Sequence, residues 1–263
     1  MVSEYVAWRP GPALGRWVRS MHGYRIEDID SGVHIGMPST TLTVIVALEE
    51  PLLLGGAAGA RPSEFESVVA GLHTTPAHIH HGARQVGLQV SLDPTAARTL
   101  FGVPAAELAA TERPLHELIG VTAGELDQIR AVTTWPDRLA ALERLLTRRP
   151  RDDRPASAAA HSWRAIGRSG GSVRVAELSG DVGYSPRRLQ QLFRAEYGVS
   201  AKEAASLRRF ERAHRMVAAG GVLAEVAMHC GYADQAHLTR DWRRFAGMPP
   251  TQWLREDLLR YGR

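Results

Sequence analysis

Residues 178–198 read LSGDVGYSPRRLQQLFRAEYG, and their pattern predicts two helices joined by a four-residue turn. Leu178 begins the apolar stripe of a short first helix, and Gly183 offers the left-handed backbone conformation that a tight reversal needs. Ser185 is a favoured N-cap residue, and Pro186 fits the first turn of a helix, where its missing N–H group costs nothing. The stretch therefore predicts a helix-turn-helix unit.

The second helix of this unit separates its residues onto two faces. Its buried face is expected to contain Leu189, Leu192 and Phe193. The opposite face has residues at i, i+3, i+4 and i+7, which are Arg187, Gln190, Gln191 and Arg194. Arginine can bind guanine edges and phosphates, and glutamine can bind adenine, so this set of side chains suits a helix in the major groove of DNA.

The bulk composition is that of an ordinary globular protein of two domains. The chain has 263 residues, of which 44% are apolar and 23% are charged. No apolar run reaches the ~20 residues that cross a bilayer, and the first residues, MVSEYVAWRPG, lack the basic and apolar regions of a secretion signal. One cysteine, Cys230, excludes an internal disulfide and suits a reducing compartment. A cytoplasmic location without membrane contact is expected.

The charge is distributed unevenly along the chain. Residues 1–155 contain 15 basic and 18 acidic side chains and have a net charge of −3. Residues 156–263 contain 17 basic and 10 acidic side chains and have a net charge of +7. This asymmetry favours a polyanionic partner for the C-terminal part.

The N-terminal half mixes strand-like and helical segments. Strands of one sheet are predicted at residues 41–48, 52–54, 67–72, 77–80 and 85–91, from β-branched and alternating apolar residues. Helices are predicted at residues 13–21, 94–101, 104–110 and 122–132. The expected fold is an α+β domain over residues 1–147 in which most helices come late.

A further helix and a linker close this half. Thr134 can cap a helix with Pro136 in its first turn, and Leu139, Leu142, Leu145 and Leu146 form an apolar stripe. The stripe is either a dimer contact or the face that packs on the domain's own sheet. Residues 148–157, RRPRDDRPAS, are charged, contain proline and lack large apolar side chains, as expected of a linker.

Residues 158–263 are expected to form an all-α domain. A helix at residues 158–166 places Trp163 and Ile166 inward, and Ser200 with Glu203 forms a capping box. The capping box begins a long helix that extends to residue 218. Its core stripe is Ala204, Leu207, Phe210, Ala213 and Val217. Its arginines between residues 208 and 215 are expected to be solvated or paired within the domain.

Residues 222–247 repeat the pattern of the first unit. Ser185, Leu189, Phe193 and Gly198 recur 49 residues later as Asp234, Leu238, Trp242 and Gly247. Gly183 recurs 48 residues later as Gly231, so the second turn has one extra residue. The exposed face of the second helix carries Gln235, Thr239, Arg240 and Arg243. Two such units joined by a rigid helix can enter successive major grooves about 34 Å apart.

Residues 158–255 resemble the DNA-binding domain of AraC/XylS-type bacterial transcription regulators. The resemblance rests on GYSPRRLQQLF, on LRRFERAHRMV, and on LAEVAMHCGYADQAHLTRDWRRFAGMPPTQW with its Gly-x-x-Pro ending. It implies seven helices that contain two helix-turn-helix motifs. Ser179 and Gly180 depart from the usual pattern, since alanine is common at the first position and glycine weakens a helix by up to ~1 kcal/mol.

The resemblance also implies roles for residues on both recognition helices. Base-contacting positions are Arg187, Gln190, Gln191, Gln235, Thr239 and Arg240. Arg188, His237 and Arg244 flank them and are expected to contact phosphates, and Arg194 and Arg243 complete the DNA-binding set. In many such regulators a variable N-terminal domain precedes this module.

Other candidate sites are weaker. His73, His78, His80 and His81 cluster in sequence, but no Cys, Asp or Glu lies near enough to complete a metal site, so surface imidazoles are expected and no metal or other cofactor is predicted. Cys230 is expected to be a small core residue. No phosphate loop, nucleophile elbow or zinc-binding helix motif is present in the sequence, so an enzyme is not expected.

The sequence therefore predicts a transcription regulator that binds specific double-stranded DNA at a promoter or operator and is associated with the nucleoid. Its N-terminal domain would sense a small-molecule effector, form a homodimer, or do both, and RNA polymerase is a further expected partner. An alternative makes the N-terminal domain an enzyme or a ligand-independent interaction module, with DNA binding secondary. Effector identity, target sequence and direction of regulation are not encoded in any motif.

Overall fold

The computed structural model describes residues 2–55, 61–148, 150, 153 and 155–261. It divides into two compact units. The N-terminal unit comprises Met1–Gly36, Thr41–Gly71 and Ala77–Arg154, and the C-terminal unit comprises Met37–Thr40, Leu72–Pro76 and Pro155–Arg263. The linker predicted at residues 148–157 includes positions 149, 151, 152 and 154, which lie outside the described residues. The limits of the two predicted domains stay a prediction.

The described part of the N-terminal unit contains ten strands. They are β1 (Val2–Ala7), β2 (Val18–Glu27), β3 (Gly32–Gly36), β4 (Leu42–Ala47), β5 (Leu52–Leu54), β6 (Ser63–Phe65), β7 (Ser67–Ala70), β8 (Ala77–His81), β9 (Arg84–Leu92) and β10 (Glu112–Pro114). The five predicted strands correspond to β4, β5, β7, β8 and β9. The sequence did not indicate β1, β2, β3, β6 or β10, and β6 and β10 are only three residues long.

The strands form two antiparallel sheets, so the prediction of a single sheet was wrong. Six strands are ordered β1-β2-β9-β4-β7-β10, and four are ordered β3-β8-β5-β6. Alternating burial along β4 places Leu42, Val44 and Val46 in the core, because successive side chains of a strand point to opposite faces. Leu52 from the four-stranded sheet packs with Val68 from the six-stranded sheet, and this cluster joins the two layers.

Apart from α1, the helices of the N-terminal unit follow β9 in sequence. They are α1 (Pro12–Gly15), α2 (Ala97–Phe101), α3 (Leu115–Ile119), α4 (Ala123–Ala131) and α5 (Trp135–Thr147). Thr134 caps α5 as predicted, since its hydroxyl oxygen accepts from the backbone N–H of Asp137 at 3.3 Å. Leu139, Leu142, Leu145 and Leu146 are all buried, which confirms that this stripe packs within its own unit and is not available as a dimer contact.

Two predicted helices were wrong in extent. The segment 13–21 is helical only as far as Gly15, and β2 begins at Val18. Because β2 pairs with β1 on one side and β9 on the other, the hydrogen bonds of a ten-residue strand outweigh three apolar residues at helical spacing. The segment 104–110 contains only the short 3₁₀ turn Ala105–Glu107, and Ala110 has a φ of 55°, outside the helical range.

The described part of the C-terminal unit contains seven helices, as the resemblance implied. They are α6 (Ser157–Arg168), α7 (Val175–Asp181), α8 (Pro186–Tyr197), α9 (Ala201–Ala218), α10 (Leu223–His229), α11 (Gln235–Ala246) and α12 (Pro250–Tyr261). The capping box at the start of α9 is present, and all five residues of the predicted core stripe on that helix are buried. The fold class is therefore an α+β unit with an all-α unit that contains two helix-turn-helix motifs.

Helix α9 lies between two aromatic clusters. On one side, the ring of Trp163 lies 5.9 Å from that of Phe193 and 4.5 Å from that of Tyr197. On the other side, Phe210 packs edge-to-face on Trp242 at 5.3 Å. Each motif therefore has its own aromatic core, and α9 connects them. In the part of the chain that the structure describes, no helix is both long and apolar enough to cross a membrane.

Candidate nucleic-acid interface

The first motif is formed by α7 and α8. Gly183 adopts a φ of +68°, the left-handed conformation predicted for the turn. The hydroxyl oxygen of Ser185 then accepts from the backbone N–H of Arg188 at 3.2 Å, so Ser185 is the N-cap of α8 as expected. The turn at Gly183 and the cap at Ser185 fix where α8 begins. They therefore also fix which of its residues face outward.

The buried face of α8 differs from the sequence prediction at two positions. Leu189 and Phe193 are fully buried, whereas Leu192 is only partly buried. Tyr197, which the sequence did not indicate as a core residue, is also fully buried at the end of the helix. The buried face therefore follows positions 189, 193 and 197 at intervals of four residues.

The second motif repeats this construction with α10 and α11. Gly231 has a φ of +76°, and a carboxylate oxygen of Asp234 accepts from the backbone N–H of His237 at 2.6 Å. Five residues separate α10 from α11, against four between α7 and α8, so the extra residue in the second turn is confirmed. Leu238, Trp242 and Phe245 are fully buried, as predicted.

The side chains predicted to bind DNA lie on the outward faces of α8 and α11. Most are exposed, and Thr239 and His237 are partly exposed. Among the described residues, seven of these side chains make no hydrogen bond or ion pair within the protein: Arg187, Arg188, Gln190, Gln191, Gln235, Arg240 and Arg243. Both recognition helices therefore present basic and amide groups that a partner can bind without first breaking an internal contact.

The partly exposed residues of α11 are held in place by the protein itself. The hydroxyl of Thr239 donates to the carbonyl oxygen of Gln235 at 2.9 Å. The Nδ1 atom of His237 accepts from the backbone N–H of Ala233 at 3.3 Å, and its ring packs edge-on against Tyr232 at 5.1 Å. These residues have fixed orientations before any DNA arrives.

Two of the predicted DNA contacts have an internal partner. The guanidinium of Arg194 on α8 lies 3.8 Å from Glu203, and that of Arg244 on α11 lies 3.9 Å from the same carboxylate. Glu203 and the neighbouring Lys202 were not predicted as parts of the interface. The sequence indicated Glu203 only as half of a capping box, and its position between the two recognition helices depends on the tertiary fold.

Comparison with known proteins agrees with this geometry. A family model described as a helix-turn-helix domain, of the AraC type, matches residues 178–256, which extend from α7 into α12. Residues 178–256 therefore form an AraC-type helix-turn-helix domain. No curated protein sequence matches it at a significant level.

Solved structures resemble this chain over most of its length. ToxT from Vibrio cholerae O395 is 11% identical, with a TM-score of 0.52, over 92% of this chain and 98% of ToxT. ToxT from Vibrio cholerae strain SCE256, bound to an unsaturated fatty acid, is 12% identical, with a TM-score of 0.51, over 92% of this chain and 96% of ToxT. The likeness shows the shared two-domain fold.

A shorter match covers the C-terminal unit alone. The C-terminal domain of AraT, a response regulator from Geobacillus stearothermophilus, is 20% identical over 40% of this chain and 88% of that domain, with a TM-score of 0.37.

Three histidines of the sequence cluster, His78, His80 and His81, lie on β8. His78 and His80 lie two residues apart on β8, and the Nε2 atom of His80 is 2.8 Å from the carbonyl oxygen of Gly55. Within the described ranges, no group of three or more His, Cys, Asp or Glu residues is placed to hold a metal ion. Cys230 is buried as predicted, and burial raises the pKa of its thiol.

A cavity of about 480 Å³ lies in the N-terminal unit, and its lining includes Gly120, Arg148 and Pro150. Its walls are largely leucine and isoleucine side chains from three helices: Leu100, Leu118, Ile119, Leu145 and Leu146. Arg148 lies at its edge, where its guanidinium pairs with Glu125 and donates to the carbonyl oxygens of Ile119 and Gly120 at 2.7 and 2.9 Å. The sequence did not indicate this cavity.

Proposed function

We propose that the protein is an AraC-type transcription regulator that recognises a bipartite double-stranded DNA site, with α8 in one major groove and α11 in the next. Arg187, Gln190 and Gln191 would contact bases in the first groove, and the second set, Gln235, Thr239 and Arg240, would contact bases in the second. The remaining members of the DNA-binding set are proposed to contact phosphates: Arg188, Arg194, His237, Arg243 and Arg244. Phosphate neutralisation would supply most of the affinity and the base edges most of the specificity.

The observation that supports this proposal is the duplication of one geometry. Each recognition helix follows a left-handed glycine and a side-chain N-cap, and each has its long basic and amide side chains outward. Exposure to solvent alone can account for one such array of outward basic and amide side chains. It does not explain two arrays at equivalent positions, joined by a single eighteen-residue helix.

The experiment is an in vitro selection from randomised duplex DNA with the full-length chain. A selected site with two halves about one helical turn apart is the expected result, because that spacing matches successive major grooves. Selection of a site with a single half would mean that one motif contacts phosphates and not bases. No enrichment at low salt would refute sequence-specific binding and would favour the alternative in which the N-terminal domain carries the main activity.

We propose that the N-terminal unit regulates DNA binding through an effector in its cavity. The cavity has the size of small-molecule sites, and its lining combines leucine and isoleucine side chains with Arg148, so an amphipathic molecule fits its chemistry best. ToxT, which has the same two-domain fold, has been solved with an unsaturated fatty acid bound. This likeness supports apolar and amphipathic compounds as the first classes to screen.

A thermal-shift screen of the full-length chain tests the effector proposal. A ligand present at 100 times its Kd stabilises the native state by about 2.7 kcal/mol. Ile119→Trp, which fills the cavity wall, should abolish the shift, whereas Tyr5→Trp, at a residue that is 60% exposed, should preserve it. A shift that survives Ile119→Trp would place the ligand elsewhere.

Homodimer formation and contact with RNA polymerase belong to the same proposal. The buried leucines of α5 do not supply a dimer surface, so any dimer of this chain must use another face of the molecule. Sedimentation of the full-length chain with and without its selected DNA site measures the stoichiometry directly. One chain for each bipartite site would show that dimerisation is not required for binding.

A further inference from the structure

The C-terminal unit contains a charged cleft of about 520 Å³ between its two recognition helices. One wall is the end of α8 with Arg194, the opposite wall is α11 with Asp241 and Arg244, and the floor is the first turns of α9 with Lys202 and Glu203. We call this the inter-helix cleft. Arginine and lysine outnumber acidic residues in its lining, so the cleft favours an anion.

The inter-helix cleft adjoins the faces that are proposed to contact DNA. Arg194 follows Gln190 and Gln191 by four and three positions on α8, so the three side chains share one face. Arg244 follows Arg240 by four positions on α11 and is likewise on the same side of its helix. DNA that bound both recognition helices would therefore pass its phosphate backbone across the mouth of the cleft.

Glu203 lies at the centre of this cleft. Its Oε2 atom accepts from the backbone N–H of Ser200 at 2.8 Å and from the Ser200 hydroxyl at 2.7 Å. The same carboxylate lies 3.8 Å from Arg194 and 3.9 Å from Arg244. One acidic residue, fixed by the capping box of α9, therefore faces a guanidinium group from each recognition helix.

The charge on Glu203 is maintained near neutral pH. Its partial burial alone would raise the pKa of the carboxyl group. The hydrogen bonds from Ser200, with the nearby guanidinium groups of Arg194 and Arg244, outweigh that effect and lower the pKa below its ordinary value. Glu203 is therefore a carboxylate at every pH at which DNA binding is measured.

The two ion pairs with Glu203 can be exchanged for contacts with a phosphate group. The side chains of Arg194 and Arg244 are 58% and 46% exposed, and both distances are near the limit for an ion pair. Exposed pairs of this kind contribute little stability, whereas a phosphate can accept a bidentate hydrogen-bonded pair from arginine. Lys202 is exposed, is the single lysine of the sequence, and has no ion-pair partner in the described part of the chain.

We propose that the inter-helix cleft binds a backbone phosphate of the DNA between the two major grooves, and that Glu203 competes with this phosphate for Arg194 and Arg244. In the free protein the carboxylate holds both guanidinium groups. On DNA they turn to the phosphate, with Lys202 as its third cationic ligand. The competition weakens binding to any duplex, so it reduces non-specific affinity and makes selection depend on the base contacts. This inference rests on the proposed two-groove docking.

The test uses full-length Glu203→Gln, because glutamine keeps the capping-box hydrogen bonds and removes the charge. Fluorescence anisotropy would measure binding to the selected duplex and to a random duplex between about 50 and 200 mM salt. We expect the variant to bind the random duplex roughly three to ten times more tightly, and its plot of log affinity against log salt to steepen by about 0.9 for each additional phosphate contact. Glu225→Gln, at an exposed position of α10, is the matched control and should change neither quantity.

Two further variants distinguish phosphate binding in the cleft from a general effect of charge on DNA affinity. Lys202→Ala should make the salt dependence shallower by about 0.9 on both duplexes. Arg194→Ala should reduce affinity more in the Glu203→Gln background than in the wild type, because the arginine is then no longer held by the carboxylate. Equal effects of Arg194→Ala in the two backgrounds would overturn the competition.

The possible failures are distinguishable. If the wild type binds a selected bipartite site and Glu203→Gln binds both duplexes with unchanged affinity and salt dependence, the inference is wrong and the proposed function stands. If the wild type selects no bipartite site, the proposed function fails first. A lower melting temperature for Glu203→Gln than for Glu225→Gln, without tighter binding, would assign Glu203 to helix capping alone.

Discussion

Arg240 is the single residue whose role can be tested most directly. It is exposed on α11, makes no internal contact among the described residues, and occupies a position proposed to contact a base. Arg240→Ala should lower discrimination between the selected site and a site with one substituted base pair by about 1 to 3 kcal/mol. Competition binding at fixed salt measures this difference.

The control for this variant is Arg215→Ala, which removes an exposed arginine from α9 without touching either recognition helix. It should leave discrimination unchanged. If Arg240→Ala weakened binding to all DNA sequences equally, Arg240 would bind a phosphate. The base contact would then be made by another residue.

At this scale, helical periodicity predicted which side chains of α8 and α11 face outward, since the caps at Ser185 and Asp234 fix the phase of each helix. It could not predict the contacts of Glu203. Arg194 and Arg244 are separated by fifty positions in the sequence, and only the folding of α9 between their helices brings one carboxylate near both.

Helix α7 contains a position at which stability can be increased. A Cβ atom at Gly180 would meet nothing within 4 Å, and the residue lies within the helix. Gly180→Ala should therefore stabilise the C-terminal unit by up to about 1 kcal/mol, because alanine restricts the unfolded chain more than glycine does. The melting temperature should rise by about 2 to 4 °C.

A matched substitution lies three residues away. Gly183 also faces open space, but its φ of +68° disfavours any residue with a Cβ atom. Gly183→Ala should destabilise by about 1 to 2 kcal/mol. If both variants shifted the melting temperature in the same direction, backbone conformation would not be what distinguishes the helix position from the turn position.

The core of the second motif depends on Trp242. The side chain is fully buried, and its ring lies 5.3 Å from Phe210 and 5.5 Å from Trp253. Trp242→Ala should cost about 3 to 5 kcal/mol, because the cavity it opens cannot close completely. Urea unfolding followed by circular dichroism measures the loss.

Trp242→Phe is the comparison. The indole Nε1 atom is buried without a hydrogen-bond partner among the described residues, so phenylalanine loses packing area but no hydrogen bond. Its cost should be well below that of alanine. Equal stability of Trp242→Ala and the wild type would contradict the assignment of Trp242 to the core.

The elements of the two units differ in how well the sequence predicts them. Helices of the C-terminal unit are specified locally by caps, turn glycines and apolar stripes, and all were predicted except the last, α12. Strands such as β1 and β3 exist because a partner strand pairs with them, and β3 is bonded to β8, more than forty residues away. Each of these segments contains only two or three large apolar residues, which is too few to indicate a strand without that partner.

At the scale of the whole molecule, the uneven charge determines how DNA binding responds to salt. The basic residues of the interface belong to the half with a net charge of +7, whereas residues 1–155 have a net charge of −3. Association should therefore be driven by the C-terminal unit alone. The cationic side chains proposed to contact phosphates are Arg188, Arg194, Lys202, Arg243 and Arg244.

Neutralisation of roughly four to six phosphates predicts a slope of about −4 to −5 in a plot of log affinity against log salt, because each contact releases condensed counterions. Affinity for a random duplex should then fall about 10² to 10³-fold between 50 and 200 mM salt. Arg243→Ala should reduce the magnitude of the slope by about 0.9, whereas Arg9→Ala, at an exposed position of the N-terminal unit, should leave it unchanged. A slope near zero, or equal effects of the two variants, would mean that the basic faces of α8 and α11 do not contact the DNA backbone and that the charge asymmetry has another cause.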